Sequence, residues 1–248
     1  MKIDVGESHN CGSREEMEDR HYFDPDFRGQ KELLVGVYDG HDGDRVVNYI
    51  EKEWHQRFLE ILGQSSNFLE SFVLAYEKIS AEVCQLGWSS GACMANFILV
   101  QDQVYWANAG DVRILVVGPS VRQLTIDHHP NHPTEKKRII ACGGIIKGNN
   151  IISNSGYIAV SRAIGDPDYH SYGLIATPET GRYKLKPTDL ALVVASDGLF
   201  EEMTNQDVAK IVREDCDAKE TAKNLVRTAL HRNSLDNVTA VVVKFIKP

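Results

Sequence analysis

The sequence predicts an α+β protein in which antiparallel sheets pack together with helices outside. Three observations lead there: short β-branched and aromatic runs, longer segments with apolar residues three and four apart, and the arrangement of the two in blocks. "ELLVGVYD" is the first predicted strand. "DRVVNYIEKEWHQRFLEIL" follows as an amphipathic helix through Val46, Val47, Ile50, Trp54, Phe58 and Leu62. "FLESFVLAYEKISAEVCQL" repeats the pattern through Phe68, Phe72, Ala75, Ile79 and Val83. Next, "ANFILVQDQVYWANAGDVRILVVG" breaks at Gln101-Asp102-Gln103 as a hairpin does. "TEKKRIIACGG" predicts a helix with Thr134 as N-cap and Gly143 as its stop. "DLALVVASD" is a strand, "TNQDVAKIVRED" (N-cap Thr204) and "AKETAKNLVRTALHR" are helices, and "NVTAVVVKFI" is the last strand. Strand and helix do not alternate one for one, which disfavours a doubly wound parallel sheet.

At 248 residues, 42% hydrophobic and 25% charged, the chain can bury a full core. Its net charge of -8 argues against a nucleic-acid surface, because phosphate backbones call for a basic field. The five cysteines are scattered, without a C-x-x-C pair, so neither a disulfide framework nor a thiolate zinc site is indicated. Reduced thiols in a cytoplasmic or nuclear compartment are expected. No stretch approaches a bilayer span and no basic segment precedes an apolar run at the start, so neither membrane insertion nor secretion is expected.

Asp39-Gly40, Asp197-Gly198 and Gly110-Asp111 each follow an apolar strand, and Asp236-Asn237 precedes one. Singly, each is turn chemistry. Together they place carboxylates at strand ends, where one rim of a layered fold can collect them. Two such charges about 4 Å apart repel by roughly 4 kcal/mol at an effective dielectric near 20, so a cluster needs protons, an arginine or a divalent cation. Oxygen donors without cysteine select hard ions such as Mg²⁺ or Mn²⁺. Arg14, Glu18 and Asp19 form a further charged cluster in "SREEMEDRHYF" that by itself reads as a solvated run.

The blocks "SREEMEDRH", "GVYDGHDG", "ANAGDVR", "LTIDHHPNHPTEKKRI", "AVSRAIGD", "VVASDGLFE" and "DNVTAVVV" occur in the order of the metal-dependent protein phosphatase 2C family, which the sequence resembles from about Val5 to Ile246. The resemblance implies one catalytic domain over residues 1–248. It also implies a central antiparallel β-sandwich flanked on both faces by pairs of antiparallel helices, a four-layer α-β-β-α fold. It further implies a monomer that hydrolyses phosphoserine and phosphothreonine in protein substrates through a metal-bridging hydroxide at a binuclear Mg²⁺ or Mn²⁺ centre, without a phospho-enzyme intermediate.

By resemblance, Asp39 bridges both ions, Gly40 lends its carbonyl, Glu18 binds one ion, and Asp197 and Asp236 bind the other. Asp111 and Glu201 match a third, weaker metal site, and Asp19 an acid that hydrogen-bonds metal-bound water. Arg14 matches the phosphate-gripping arginine, for which a two-pronged guanidinium is suited. His41 matches the general acid for the leaving alkoxide, a task suited to a neutral-range pKa. The segment from Asp127 to Ser155 matches a substrate-side flap, with Gly143, Gly144 and Gly148 allowing mobility.

Other chemistries fit less well. No cysteine has an arginine six positions on, as a cysteine phosphatase loop requires. His128, His129 and His132 suggest zinc, but Pro130 and Pro133 deny them helical spacing. An EF-hand counted from Asp39 has Gly43 and Asp44 at its fifth and sixth positions, where it needs an oxygen ligand and then glycine. A scaffold that kept the fold without the chemistry is expected to lose a metal carboxylate, and Glu18, Asp39, Asp197 and Asp236 are all present. Ala92-Cys93-Met94 and Asn154-Ser155-Gly156 depart from the family pattern, the first as a packing variation on a buried strand, the second near the flap. At Asp42 and Gly43 the chain is expected to turn, with Asp44 capping the helix that begins at Arg45.

Overall fold

Residues 33 to 38 show how the layers arise. Leu33, Val35 and Val37 pack into one apolar cluster, whereas Leu34 and Tyr38 pack into another. Strand side chains alternate faces, so a segment apolar at every position must be covered on both sides.

The computed structural model describes residues 2–65 and 67–246. The chain opens with strands β1 (Lys2–Asn10), β2 (Asp19–Phe27) and β3 (Glu32–His41), then helices α1 (Arg45–Gln64) and α2 (Phe68–Gln85). Strands β4 (Gly91–Val100), β5 (Gln103–Ala109), β6 (Arg113–Val117) and β7 (Val121–Gln123) follow. A less regular stretch holds α3 (Pro133–Ala141), β8 (Ile145–Lys147), β9 (Asn150–Ile152), β10 (Tyr157–Ile158), β11 (Ile164–Gly165) and the one-turn α4 (Pro167–His170). The chain continues through β12 (Glu179–Lys184), β13 (Ala191–Ala195), the short α5 (Asp197–Phe200), α6 (Asn205–Val212), α7 (Ala218–His231) and β14 (Val238–Ile246).

Two large antiparallel sheets form, in the orders β1-β14-β13-β6-β7 and β12-β5-β4-β3-β2, with β11 added to β4. Phe97, Val35, Val194 and Val241 belong to the apolar layer between the sheets. Leu34, Met94 and Ile98 meet Ile50, Trp54, Phe72 and Tyr76 of α1 and α2 on one outer face. Val193, Ala240 and Val242 meet Val208 of α6 and Leu225 of α7 on the other. The fold is therefore a mixed one of antiparallel sheets with helices outside, as the sequence predicts. Ala92 and Met94 fill the layer under α1 and α2, whereas Cys93 faces the inter-sheet layer.

The helix boundaries bring one correction, at α3, and at α1 an N-cap position filled as expected without a capping bond. Thr134 does not cap α3: His132 holds the N-cap position and Pro133 opens the helix, because proline lacks the amide hydrogen that the first turn leaves unused anyway. Asp44 stands at the N-cap of α1 but makes no capping hydrogen bond, and its carboxylate lies 3.8 Å from Arg20. Thr204 does cap α6, in a reciprocal capping box with Asp207. Gly143, at φ +81, follows the end of α3 as expected, and Gly144 lies close against Ile139 and Tyr172, where a Cβ would strike the Tyr172 carbonyl.

Candidate active site

Register brings the acidic residues together. Asp19 pairs with Asp39 across β2 and β3, and Asp39 pairs with Cys93 on β4, so all three sit at one end of their sheet. From the other sheet, Asp111 precedes β6, Asp197 follows β13 and Asp236 precedes β14. One carboxylate oxygen from each of Asp39, Asp111 and Asp197 lies within 4.8 Å of the others. These three line a cavity of about 510 Å³ together with Arg14, Glu18, Gly40, His41 and Asp236.

The electrostatics are those of an undercompensated cluster. Burial, then the charges of Asp197, Asp19 and Asp111, pushes the Asp39 carboxyl well above the usual carboxylate range. Burial, Asp111 and Asp236 do the same to Asp197. The Asp197 amide donates to Asp39 at 3.3 Å, and Arg14 donates to Asp236 at 2.7 Å. One guanidinium does not balance this many carboxylates. The donors are carboxylates with the Gly40 carbonyl nearby, while burial holds the adjacent Cys93 thiol well above its normal pKa, hence neutral. This oxygen set fits a hard divalent cation.

The remaining predicted residues fall into distinct positions. Glu18 accepts from the Gly43 amide at 2.6 Å, and its carbonyl accepts from the Gly40 amide at 3.2 Å. A side chain at Gly40 would collide with that Glu18 carbonyl at 2.6 Å, which is why the approach needs glycine. Asp19 is buried and accepts from the Ser196 hydroxyl at 2.7 Å; burial pushes its carboxyl up to about 6 despite that bond. Glu201 lies outside the group formed by Asp39, Asp111 and Asp197, in a neighbouring groove with Phe200 and Thr204. Its carboxyl is raised by burial and by Asp236.

Sequence reasoning did not single out two supporting residues. Asp166 places its carboxylate 2.9 Å from His41 Nε2. Burial would lower the His41 pKa, but the charge of Asp166 and its hydrogen bond outweigh that and raise it. Asp166 itself has φ +53, and Gly91 makes room for it, since a Cβ there would strike its carboxylate. Asn237 is the second. Its side chain accepts from the Glu18 amide at 2.6 Å and donates to the carbonyls of Cys11 and Glu16, which fixes the acidic loop against β14.

The histidines of the Asp127 segment have structural partners. His132 Nδ1 lies 2.9 Å from the Thr134 hydroxyl, and His128 Nδ1 lies 3.1 Å from the Gly110 carbonyl. Burial, aided by the Arg162 charge, lowers the His128 pKa to about 4. An unfolded histidine takes up its proton near pH 6.5, so the folded state is penalised as pH falls from about 6.5 to about 4, by at most roughly 3 kcal/mol. The buried carboxylates, with raised pKa values, slope the opposite way. The difference in urea-unfolding stability between wild type and His128→Leu is therefore the informative quantity. It is expected to shrink as pH falls through that window, and a pH-independent difference would contradict the assignment.

Two antiparallel sheets with carboxylate oxygens gathered at one rim define the class, a layered α+β protein with a site whose donors suit a hard divalent cation. The protein phosphatase 2C family model matches residues 3–238. Probable protein phosphatase 2C 11 of Arabidopsis thaliana is 33% identical over 253 residues, covering 99% of this chain and 67% of the relative. Probable protein phosphatase 2C 71 of the same plant is 31% identical over 254 residues, covering 99% of this chain but 56% of the relative. A crystal structure of serine-threonine phosphatase 2C from Toxoplasma gondii superposes with a TM-score of 0.83 at 23% identity, covering 98% of this chain and 95% of that one. A sex determining protein of C. elegans gives a TM-score of 0.87 at 23% identity, covering 100% and 66%. The chain belongs to the protein phosphatase 2C family.

Proposed function

We propose that this chain hydrolyses phosphoserine and phosphothreonine in proteins with the aid of two divalent cations, Mg²⁺ or Mn²⁺. The observation that carries this is the convergence of Asp39, Asp111 and Asp197 within 4.8 Å, with two of the three held far above their normal pKa. Glu18, Asp39 and the Gly40 carbonyl would hold one ion, Asp39, Asp197 and Asp236 the other, and Asp111 with Glu201 a weaker third. Such ions, when bound, make water nucleophilic at neutral pH and neutralise charge on the phosphoryl oxygens.

The protein's own groups do the rest. Arg14 is more than half exposed and bonded to Asp236, so it can exchange that carboxylate for two phosphate oxygens. Asp19, anchored by Ser196 and opposite Asp39 in the strand register, would accept a hydrogen bond from water held by the ions. Asp166 engages His41 at Nε2 and favours the protonated ring, leaving Nδ1 to give its proton to the departing seryl or threonyl oxygen.

Phosphate release from phosphothreonine and phosphoserine peptides in the presence of Mn²⁺ tests the reading. Failure with every divalent metal tried would favour a binding module that has kept only the fold. The His41 role has its own signature. His41→Ala is expected to slow phosphothreonine peptides by about 10²-fold, within the usual range for a general acid. It should slow p-nitrophenyl phosphate far less, because nitrophenolate leaves without a proton. Equal losses on both substrates would remove His41 from that role.

A further inference from the structure

Two residues along β2 from Asp19, outside the rim cluster itself, the terminal strands β1 and β2 of the two sheets come together. We propose that Glu7, His9 and His21 form a second metal site there, one for a divalent transition ion of the Zn²⁺ type that clips one sheet to the other.

The spacing is that of a ligand set. Glu7 Oε2 lies 3.3 Å from His9 Nδ1 and 3.7 Å from His21 Nε2, and one donor atom from each residue lies within 4.8 Å of the other two. Zinc bonds of about 2.0–2.1 Å at tetrahedral angles put neighbouring ligands about 3.3 Å apart. Small rotations therefore suffice to close the three donors on one ion, with water completing the shell. Two strands and two sheets supply the ligands, since His21 opposes Val37 on β3 while His9 opposes Thr239 on β14.

The protonation states suit an ion. Burial works against the charge on Glu7, but Lys219, His21 and His9 together outweigh it, and its pKa is lowered. Burial lowers the His21 pKa despite the facing Glu7, so this ring is neutral at neutral pH, the form that ligates. Lys219 of α7 bonds the other carboxylate oxygen, Oε1, and so holds Oε2 toward the two rings. Arg20 and Lys219 are the cations whose charge bears on this corner. Two imidazoles select Zn²⁺, Co²⁺ or Ni²⁺ over Mg²⁺, whereas the oxygen donors of the rim favour Mg²⁺ or Mn²⁺. The two sites therefore sort metals by donor type.

Equilibrium dialysis of Zn²⁺ against the Asp39→Asn protein in excess Mg²⁺ counts ions bound away from the rim. One ion per chain is expected, Co²⁺ in its place should give the visible absorption of imidazole coordination, and Zn²⁺ at 100 times Kd should raise Tm by about 5 °C or more. His9→Ala and His21→Ala, added singly, should each weaken that ion about tenfold or more. The same substitutions in the otherwise intact protein should leave Mg²⁺-dependent hydrolysis close to wild type, which reports correct folding. His9 is half exposed, so its removal keeps the test sound even where the more buried His21 disturbs packing. No bound ion, or an affinity indifferent to both histidines, overturns the proposal.

Discussion

Asp39→Asn is expected to lower hydrolysis of a phosphothreonine peptide by about 10³-fold while raising the stability of the metal-free protein. The rate loss follows from position: Asp39 sits between the two sheets' contributions and faces Asp111 and Asp197 directly. Removing one pre-arranged charge-stabilising group from an active site typically costs 10²–10³-fold, and this carboxylate would serve both ions. The stability gain follows from sign. A carboxyl whose folded pKa lies above its unfolded value costs stability at neutral pH, a cost that disappears as pH falls and the group is protonated. An amide removes the charge outright. Thermal melts in EDTA, beside rates in Mn²⁺, measure both effects. A variant that keeps full activity, or that melts lower without metal, would contradict this view of the rim.

The second large effect lies outside the chemistry. The Glu135 carboxylate is only 2% exposed, yet it receives Arg138 at 2.6 Å, Arg162 at 2.7 Å and the Ser161 hydroxyl at 2.9 Å. Burial opposes its charge, but the two arginines overcome that and lower its pKa to about 2. Arg162 also donates to the Thr177 carbonyl, and Arg138 to those of Gly173 and Ser161. The cluster thus pins α3 to residues 161–177, the stretch that carries Asp166. Glu135→Ala strands two guanidiniums, a change that typically costs 3–5 kcal/mol. For a chain of this size that is a fall in Tm of roughly 6–20 °C. Because the folded pKa is depressed, the Glu135 contribution is present above about pH 4.5 and is lost as pH falls toward about 2. Chemical denaturation at neutral pH should show the full loss, and at pH 3 a smaller one. A difference below about 1 kcal/mol at neutral pH would mean that the cluster behaves as a surface pair.

The parts legible in the sequence were those with a repeating physical signal. The buried face of α1 is Val46, Val47, Ile50, Trp54, Phe58 and Leu62, the residues its spacing picks out, because a helix against a sheet must bury one stripe. β3 and β4 announce themselves by being apolar on both faces. By contrast, β1, β2 and β12 are edge strands rich in charge, and β2 breaks register between Asp24 and Phe27 around Pro25. Such strands carry little alternation, since charge on an edge discourages pairing with other chains.

The rim carboxylates were legible because each adjoins an apolar strand. Asp166 was not, because its partner His41 lies 125 residues away and its left-handed backbone leaves no compositional trace beyond the Gly165-Asp166-Pro167 turn. Glu135 looked like one more charge in "TEKKR", and only the fold brings Arg162 to it.

The most direct test is the dependence of hydrolysis on a divalent cation. Protein dialysed against EDTA is expected to lose phosphothreonine-peptide hydrolysis to background and to regain it on titration with Mg²⁺ or Mn²⁺. Asp197→Asn and Asp236→Asn should need far more metal than wild type for the same rate. Full activity in the dialysed protein, indifferent to added Mn²⁺, would contradict a metal-assisted reaction at this rim.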